Sequence, residues 1–423
     1  MQETPKGLRL HIGLFGKRNA GKSSLINALT NQKISIVSNV AGTTTDPVEK
    51  ACELQPIGPV VFIDTAGVDD VGELGLARVE RSQSILQWVD IAIIISNIDT
   101  FDQTEIDLID HAKQLNTPTI LVFNKADQYP VSEKIRLEFE QKFQIPVTVT
   151  DANLREGVDT LRNTIIKLSS EHQSEDRLLV GDLVNSGDTV LLVTPIDTGA
   201  PKGRLILPQV QTIRELLDKH AKCFVVQQNR VKEAINDLKH PPKLIVADSQ
   251  VILDVASQTP NNIPLTTFSI QMAYSKADVI EMARGTAVLA NLQDGDRILI
   301  LETCSHHPQK DDIGRVKIPR WLRQKTGKNL NIEICVGKDI PADLTPYKVL
   351  IQCGGCIVTR RHMLARLRAA RKQHVPMTNY GMTISFLQGV IERVLLCHPE
   401  ALQAYLTTLN QLKGESIDKG TNP

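Results

Sequence analysis

Short runs of Val, Ile, Leu and Phe alternate along this chain with stretches in which apolar residues return every three or four positions. The first run, 8–15, breaks at Gly16 and gives way to a helical pattern from Lys22; further runs fall at 60–63, 91–95, 119–123 and 145–149. Strands alternating with helices predict a parallel sheet with crossover connections. Residues 169–177 are polar and read as a linker. A second alternation follows, with strands at 189–194, 223–227 and 244–247 and helices at 210–220 and 231–238, punctuated by prolines. A third has strands at 297–302, 331–335 and 348–352 and helices at 275–292, 316–324, 361–373, 384–395 and 399–412. The expected architecture is α/β in three domains, 1–172, 176–272 and 273–412, followed by a disordered tail at 413–423. No internal repeat is visible in the pattern.

Length agrees, since 423 residues correspond to about three domains. Aromatics make up only 4%, so the cores must be aliphatic. The 48 basic residues balance 48 acidic ones, which removes any global field toward nucleic acid or a membrane surface. The N-terminus lacks the apolar segment of a secretory signal, and the longest apolar run is too short to span a bilayer. Seven cysteines, an odd number, do not suggest a disulfide framework; reduced thiols and a cytoplasmic location are expected.

Gly16-Lys-Arg-Asn-Ala-Gly21-Lys22-Ser23 fits G-x-x-x-x-G-K-S between a strand and a helix. The glycines let backbone N–H groups wrap phosphates, and the helix N-terminus favours their charge. Lys22 would bridge the β- and γ-phosphates, and the Ser23 hydroxyl would ligate magnesium. Asp64-Thr-Ala-Gly67 ends the 60–63 strand, placing Asp64 toward magnesium and the Gly67 N–H toward the γ-phosphate. Asn124-Lys125-Ala-Asp127 ends the 119–123 strand. The Asp127 carboxylate can accept both guanine N1–H and the exocyclic amine, a donor pair adenine lacks. A Thr of the Gly42-Thr-Thr-Thr-Asp46 loop can reach magnesium and the γ-phosphate. The chain is therefore expected to bind and hydrolyse GTP.

These motifs resemble the TrmE–Era–EngA group of GTPases, through Asn19-Ala-Gly-Lys-Ser-Ser24, the Gly42–Asp46 run and Asp64-Thr-Ala-Gly67. The resemblance implies that Thr44 is the switch residue and that Asn19 helps hold a potassium ion. Ser24 joins the nucleotide-binding set. The group carries an apolar residue, here Val68, where other GTPases have a water-orienting glutamine, so unassisted hydrolysis is expected near ~10⁻⁴ s⁻¹. Asp151-Ala152 departs from the usual Ser-Ala of the guanine loop.

A second constellation is built from cysteine. Cys353-Gly-Gly-Cys356 follows the 348–352 strand, and Cys304, with His306 close behind, follows the 297–302 strand. Ends of parallel strands share one rim, so three thiols and a histidine can converge. From the residues alone three readings stay open: an inert glycine turn, a Cys₃His zinc site, or an iron–sulfur cluster on three cysteines. Cys52, Cys223, Cys335 and Cys397 fall in apolar patterns and read as core.

Over residues 8 to 412 the chain resembles the HydF family, the GTPase maturation factors of FeFe-hydrogenase. The likeness is carried by the GTPase motifs, the Pro201–Pro208 segment, Cys304-x-His306 with Cys353-Gly-Gly-Cys356, and Pro376-Met-Thr-Asn-Tyr-Gly381. It implies a P-loop GTPase domain, a small α/β dimerisation domain and an α/β domain holding a 4Fe-4S cluster on the three cysteines. It further implies a homodimer that receives a two-iron precursor from radical-SAM maturation enzymes and delivers it to apo FeFe-hydrogenase. Many members carry histidine where this chain has Gln352, which leaves His306 as a possible fourth ligand. The alternative is a ribosome- or tRNA-associated GTPase with a zinc-stabilised domain. The basic helix at 359–372 fits either a solvated face or a docking surface.

Overall fold

The apolar runs at 60–63, 91–95, 119–123, 244–247 and 348–352 become central strands because both their faces are covered. The computed structural model describes residues 5–30, 47–65, 67, 73–173, 177–196, 205–303 and 312–418, and the chain divides into two units, Met1–Asp176 and Arg177–Pro423.

The first unit runs β1 (Leu10–Phe15), α1 (Lys22–Thr30), β2 (Val48–Leu54), β3 (Gly58–Asp64), α2 (Glu73–Leu86), β4 (Ile91–Ser96), α3 (Gln103–Gln114), β5 (Thr119–Phe123), α4 (Glu133–Phe143), β6 (Val147–Val149) and α5 (Val158–Gln173). Its six-stranded sheet has the order β2-β3-β1-β4-β5-β6. Every pairing is parallel except β2 with β3. β4 is buried along its whole length, as a strand covered on both faces must be. Ile12, Leu25, Val122 and Leu161 share one core, and Phe15, Ile63, Ile94 and Phe123 share another. The sequence pattern does not show β2, Val-Glu-Lys-Ala-Cys-Glu-Leu, because it is a polar edge strand held by its hairpin with β3. The expected linker is also corrected: α5 continues to Gln173, since nothing between Val158 and Gln173 breaks a helix and Ser169 is buried.

The second unit continues β7 (Thr189–Val193), α6 (Leu207–Asp218), β8 (Lys222–Val226), α7 (Val231–Asp237), β9 (Leu244–Ala247), α8 (Ile252–Gln258), β10 (Leu265–Thr267) and α9 (Phe268–Lys276). Then come α10 (Val279–Val288), β11 (Arg297–Glu302), α11 (Ile318–Thr326), β12 (Asn331–Val336), β13 (Val349–Gln352), α12 (Arg360–Lys372), β14 (Met377–Asn379), α13 (Tyr380–Leu387), α14 (Ile391–Leu395) and α15 (Pro399–Asp418). The single helix expected at 275–292 is two, because Asp278 stops α9 and caps α10 through the N–H groups of Ile280 and Glu281. The helix expected at 384–395 is likewise split, at Gly389 with φ +76°. The tail predicted from 413 is helical to Asp418, since no proline interrupts α15 and Gly414 alone costs a helix only about 1 kcal/mol.

The expectation of no internal repeat is overturned. The two four-stranded sheets have orders β10-β9-β7-β8 and β12-β11-β13-β14, the same topology read from opposite ends, and all their pairings are parallel. Their registers coincide. Thr189 pairs Lys222 as Arg297 pairs Asn331, Val190 pairs Leu244 as Ile298 pairs Val349, and Leu265 pairs Ile245 as Met377 pairs Leu350. Loops follow suit: Asp188 accepts from the Asn185 N–H, and Asp296 from the Gln293 N–H, each at 2.8 Å. Thr267 and Asn379 hold equivalent N-caps.

The halves meet at equivalent residues, which places a local two-fold axis between them. The Gly381 N–H donates to Ser269 Oγ at 3.1 Å, and these two occupy the same position in their halves. Off the axis, Lys276 Nζ donates to the Val358 carbonyl at 2.9 Å, while the Leu253 N–H donates to Gln388 Oε1 at 3.1 Å. Lys276 corresponds to Gln388 and Val358 to Leu253.

Candidate functional site

The first candidate site lies in the first unit, at the carboxyl ends of β1, β3 and β5. Gly16 has φ +144°, and a Cβ there would stand 2.1 Å from the Ile95 carbonyl oxygen. Gly21 has φ +95°, and its Cβ would meet Asn124 Nδ2 at 2.2 Å. Neither position admits a side chain. Asn19 is exposed in the left-handed region at φ +62°, and Ser24 is exposed on the first turn of α1. Lys22 is buried and donates to the carbonyls of Gly16 and Lys17, both at 2.8 Å, so its ammonium lies inside the loop. Ser23 Oγ donates to Asp64 Oδ2 at 2.7 Å. A hydroxyl and a carboxylate so close suit a divalent cation held between helix and strand. Gly67 is half-buried; Thr44 and Val68 lie outside the described residues.

On the far side, Asn124 ties the site together. Its Nδ2 donates to the Ala20 carbonyl at 3.0 Å, and its Oδ1 accepts from Thr150 Oγ1 and the Ala152 N–H, each at 3.2 Å. Lys125 is half-buried with φ +61°, and Asp127 is exposed. Asp151, the departure from Ser-Ala, is buried and accepts from the N–H groups of Leu154 and Asn153 at 2.8 Å. The Leu154 N–H, with the other donors, holds its carboxyl below the usual range. Asp151 therefore shapes the 151–154 loop from within.

One contact in this unit escaped the motif reading. Lys17, in the phosphate loop, reaches Asp102 at 2.7 Å and the fully buried Glu105 at 3.3 Å. Burial opposes its charge, but the hydrogen bonds to Asp102 and Glu105 hold its pKa above the ordinary value. The loop is thereby tied to the start of α3, whose capping box uses the same two carboxylates.

The second candidate site is in the second unit, at the carboxyl ends of β11 and β13. Cys353 Sγ is ringed by hydrogen-bond partners: the Thr303 N–H and Gln352 Nε2 donate to it, each at 3.3 Å, and Thr303 Oγ1 lies 3.1 Å away. Gly355 has φ +62°, and a Cβ there would press on Met363 Sδ at 2.9 Å, which explains a glycine in the Cys-Gly-Gly-Cys turn. Lys276, also buried, donates to the Gly355 and Val358 carbonyls from beneath the turn. Glu302, fully buried at the end of β11, pairs with Arg315 at 3.0 Å and accepts from the Tyr380 hydroxyl at 3.4 Å. Burial, with Cys353 and Glu302 nearby, pushes the Tyr380 phenol well up.

Cys304 and His306 lie outside the described residues, as do residues 201–204. Among the described residues no group of three or more His, Cys, Asp or Glu side chains converges. Burial pushes Cys52 and Cys397 up to about 11, the mark of inert thiols. Three cations of the basic helix α12 are held within the unit: Arg360 donates to the Ser275 carbonyl, Arg366 is buried against Gln352, and Arg371 pairs with Glu281. Thr303, Lys276 and Arg366 were not singled out in the sequence; the end of a strand flags Thr303, whereas the other two act across large separations.

Residues 280–397 match a family model described as the hydrogen maturase F tetramerization domain, and residues 179–277 one described as the hydrogen maturase F dimerization domain. Residues 11–125 match the model of a 50S ribosome-binding GTPase. The chain is 34% identical over 173 residues to the tRNA modification GTPase MnmE of Synechococcus sp. (strain JA-3-3Ab), covering 40% of this chain and 36% of that protein. It is 32% identical over 180 residues to the GTPase Der of Wolinella succinogenes, covering 40% and 37%. The chain thus spans under half the length of the curated relatives it matches. Among solved structures it is similar to the G domain of the T. maritima FeoB iron transporter, with 23% identity, TM-score 0.32, and 38% of this chain and 99% of that chain covered. It is also similar to Aquifex aeolicus Era, with 19% identity, TM-score 0.33, and 51% and 92% covered. Among the described residues no helix is long and apolar enough to cross a membrane.

Proposed function

Because the chain belongs to the hydrogen maturase F family, we propose that it is a GTP-hydrolysing scaffold for hydrogenase maturation. In this reading it holds a 4Fe-4S cluster and delivers a two-iron precursor to apo FeFe-hydrogenase, receiving that cargo from radical-SAM enzymes. The observation that carries the reading is the joint match of both hydrogen maturase F models to a unit whose β13 is followed at once by Cys353-Gly-Gly-Cys356. The likeness to the tRNA modification GTPase covers 40% of this chain and supports only the GTPase activity.

The donor set fits an iron–sulfur cluster. N–H groups aimed at Cys353 Sγ stabilise a thiolate, and thiolates are the ligands such clusters require. Cys304, Cys353 and Cys356 would hold it, with His306 as a possible fourth ligand. The cluster would supply an iron site to which cargo can attach. In the GTPase unit, Lys22 would meet the phosphates, Ser23, Thr44 and Asp64 would hold magnesium, and Asn19 would support potassium. Asp127 would read guanine. The β8 edge, with Phe224 and Val225 exposed, supports a homodimer formed through the dimerization domain.

The test separates the two sites. Cys304→Ser, Cys353→Ser and Cys356→Ser are each expected to lose the cluster and hydrogenase activation while keeping GTP hydrolysis, because the sites lie in different units. Hydrogen evolution is measured after mixing anaerobically loaded protein with apo-hydrogenase. Cysteine variants that activate the hydrogenase as well as wild type would overturn the scaffold reading.

A further inference from the structure

Arg366 is a cation buried where few cations are found. It is 3% exposed, and its guanidinium donates to Gln352 Oε1 at 2.7 Å and to the carbonyls of Gly337 and Lys338 at 2.6 and 2.8 Å. These acceptors are neutral, and its buried Nε meets no acceptor. A guanidinium cannot shed its proton, so the charge stays; a buried charge is costly unless something negative answers it, and here Cys353 acts on it first, with Cys335 and the Asp339 carboxylate beside it.

The geometry directs that charge at Cys353. A guanidinium only donates, so the Gln352 amide must turn its oxygen to Arg366 and its nitrogen away. The nitrogen then faces Cys353 Sγ at 3.3 Å, the Cys353 carbonyl at 3.2 Å and the Leu301 carbonyl at 3.4 Å. Gln352 is fully buried, and its oxygen is already committed to Arg366. It is therefore held as an amide donor to sulfur rather than as an iron ligand.

We propose that Arg366, acting through Gln352, sets the reduction potential of the iron–sulfur cluster held by Cys353. The inference rests on the scaffold reading above. Reduction takes one electron from a low-potential donor into the cluster, with no bond made or broken and no proton moved. It adds one negative charge beside the sulfur. A fixed buried cation and an N–H···S hydrogen bond both favour that more negative state, so they raise the potential. Both are positioning residues.

The experiment uses the full chain, reconstituted anaerobically with ferrous iron and sulfide and titrated with dithionite while the reduced cluster is followed by EPR. Arg366→Met and Gln352→Leu are each expected to move the midpoint to a more negative potential. Arg366→Lys, which keeps the charge, is expected to stay nearer wild type than Arg366→Met. A merely structural role would not order the three in this way. Midpoints equal to wild type in loaded Arg366→Met and Gln352→Leu would overturn the proposal. So would folded variants, checked by circular dichroism, that take up no cluster, because the pair would then serve retention rather than potential. If Arg366→Met fails to fold, Gln352→Leu decides alone. Wild-type protein that binds no iron and sulfide would instead bring down the scaffold reading, and this inference with it.

Discussion

At the scale of single residues, the two sites were legible to different degrees. The phosphate loop could be read because its chemistry dictates spacing: Gly16 and Gly21 are required by backbone that any Cβ would strike. Asp127 is proposed to read guanine because the base edge demands a carboxylate at one strand end. It is exposed beside Asp151, with its N–H directed at Asp151 Oδ2 at 3.4 Å. Asp127→Asn is expected to lose guanine selectivity by on the order of 10⁴-fold and to gain preference for xanthine nucleotides, measured by competition binding of GTP and XTP. Unchanged selectivity would sink the assignment. Arg366 and Lys276 were not legible. Each matters only through a contact with a distant segment, and in sequence each is one basic residue among many.

At the scale of elements, the strands covered on both faces announced themselves, β5 and β9 to the residue. β10 and β14, Leu265–Thr267 and Met377–Asn379, were hidden because three residues carry no period. The breaks at Asp278 and Gly389 were hidden because apolar spacing runs straight through them. Between α14 and α15 lies His398, with Nε2 3.1 Å from Gln271 Nε2 and its ring 4.7 Å from that of Tyr274. Burial lowers its pKa from 6.5 to about 4. Between those values the unfolded imidazole binds a proton that the native one refuses, so this contribution is full above pH 6.5 and is lost as pH falls toward 4. From pH 7 to 5 wild type should lose on the order of 2 kcal/mol more stability than His398→Gln, by urea denaturation. Equal losses would show that His398 titrates freely in the native state.

At the scale of the whole molecule, the α/β class was legible but the duplication inside the second unit was not. It resides in strand order, register and caps, which survive when side chains change; Asp248 and Ser249 stand where the other half has Cys353 and Gly354. The contact on the local axis gives a test. A Cβ on Gly381 would lie 2.5 Å from Ser269 Cβ, so Gly381→Ser is expected to cost about 1–3 kcal/mol by overpacking. Ser269→Gly loses one hydrogen bond, about 1 kcal/mol. The exchanged pair Ser269→Gly with Gly381→Ser should regain part of the first loss, a coupling on the order of 1 kcal/mol in thermal denaturation, whereas strict additivity would deny the axis. In terms of inheritance, two separate copies meeting on an axis would each confront their own image there, and every change would be made twice. A single chain is released from that rule. One half can take serine and the other glycine at the crossing, and one rim can keep paired cysteines while its counterpart becomes plain structure.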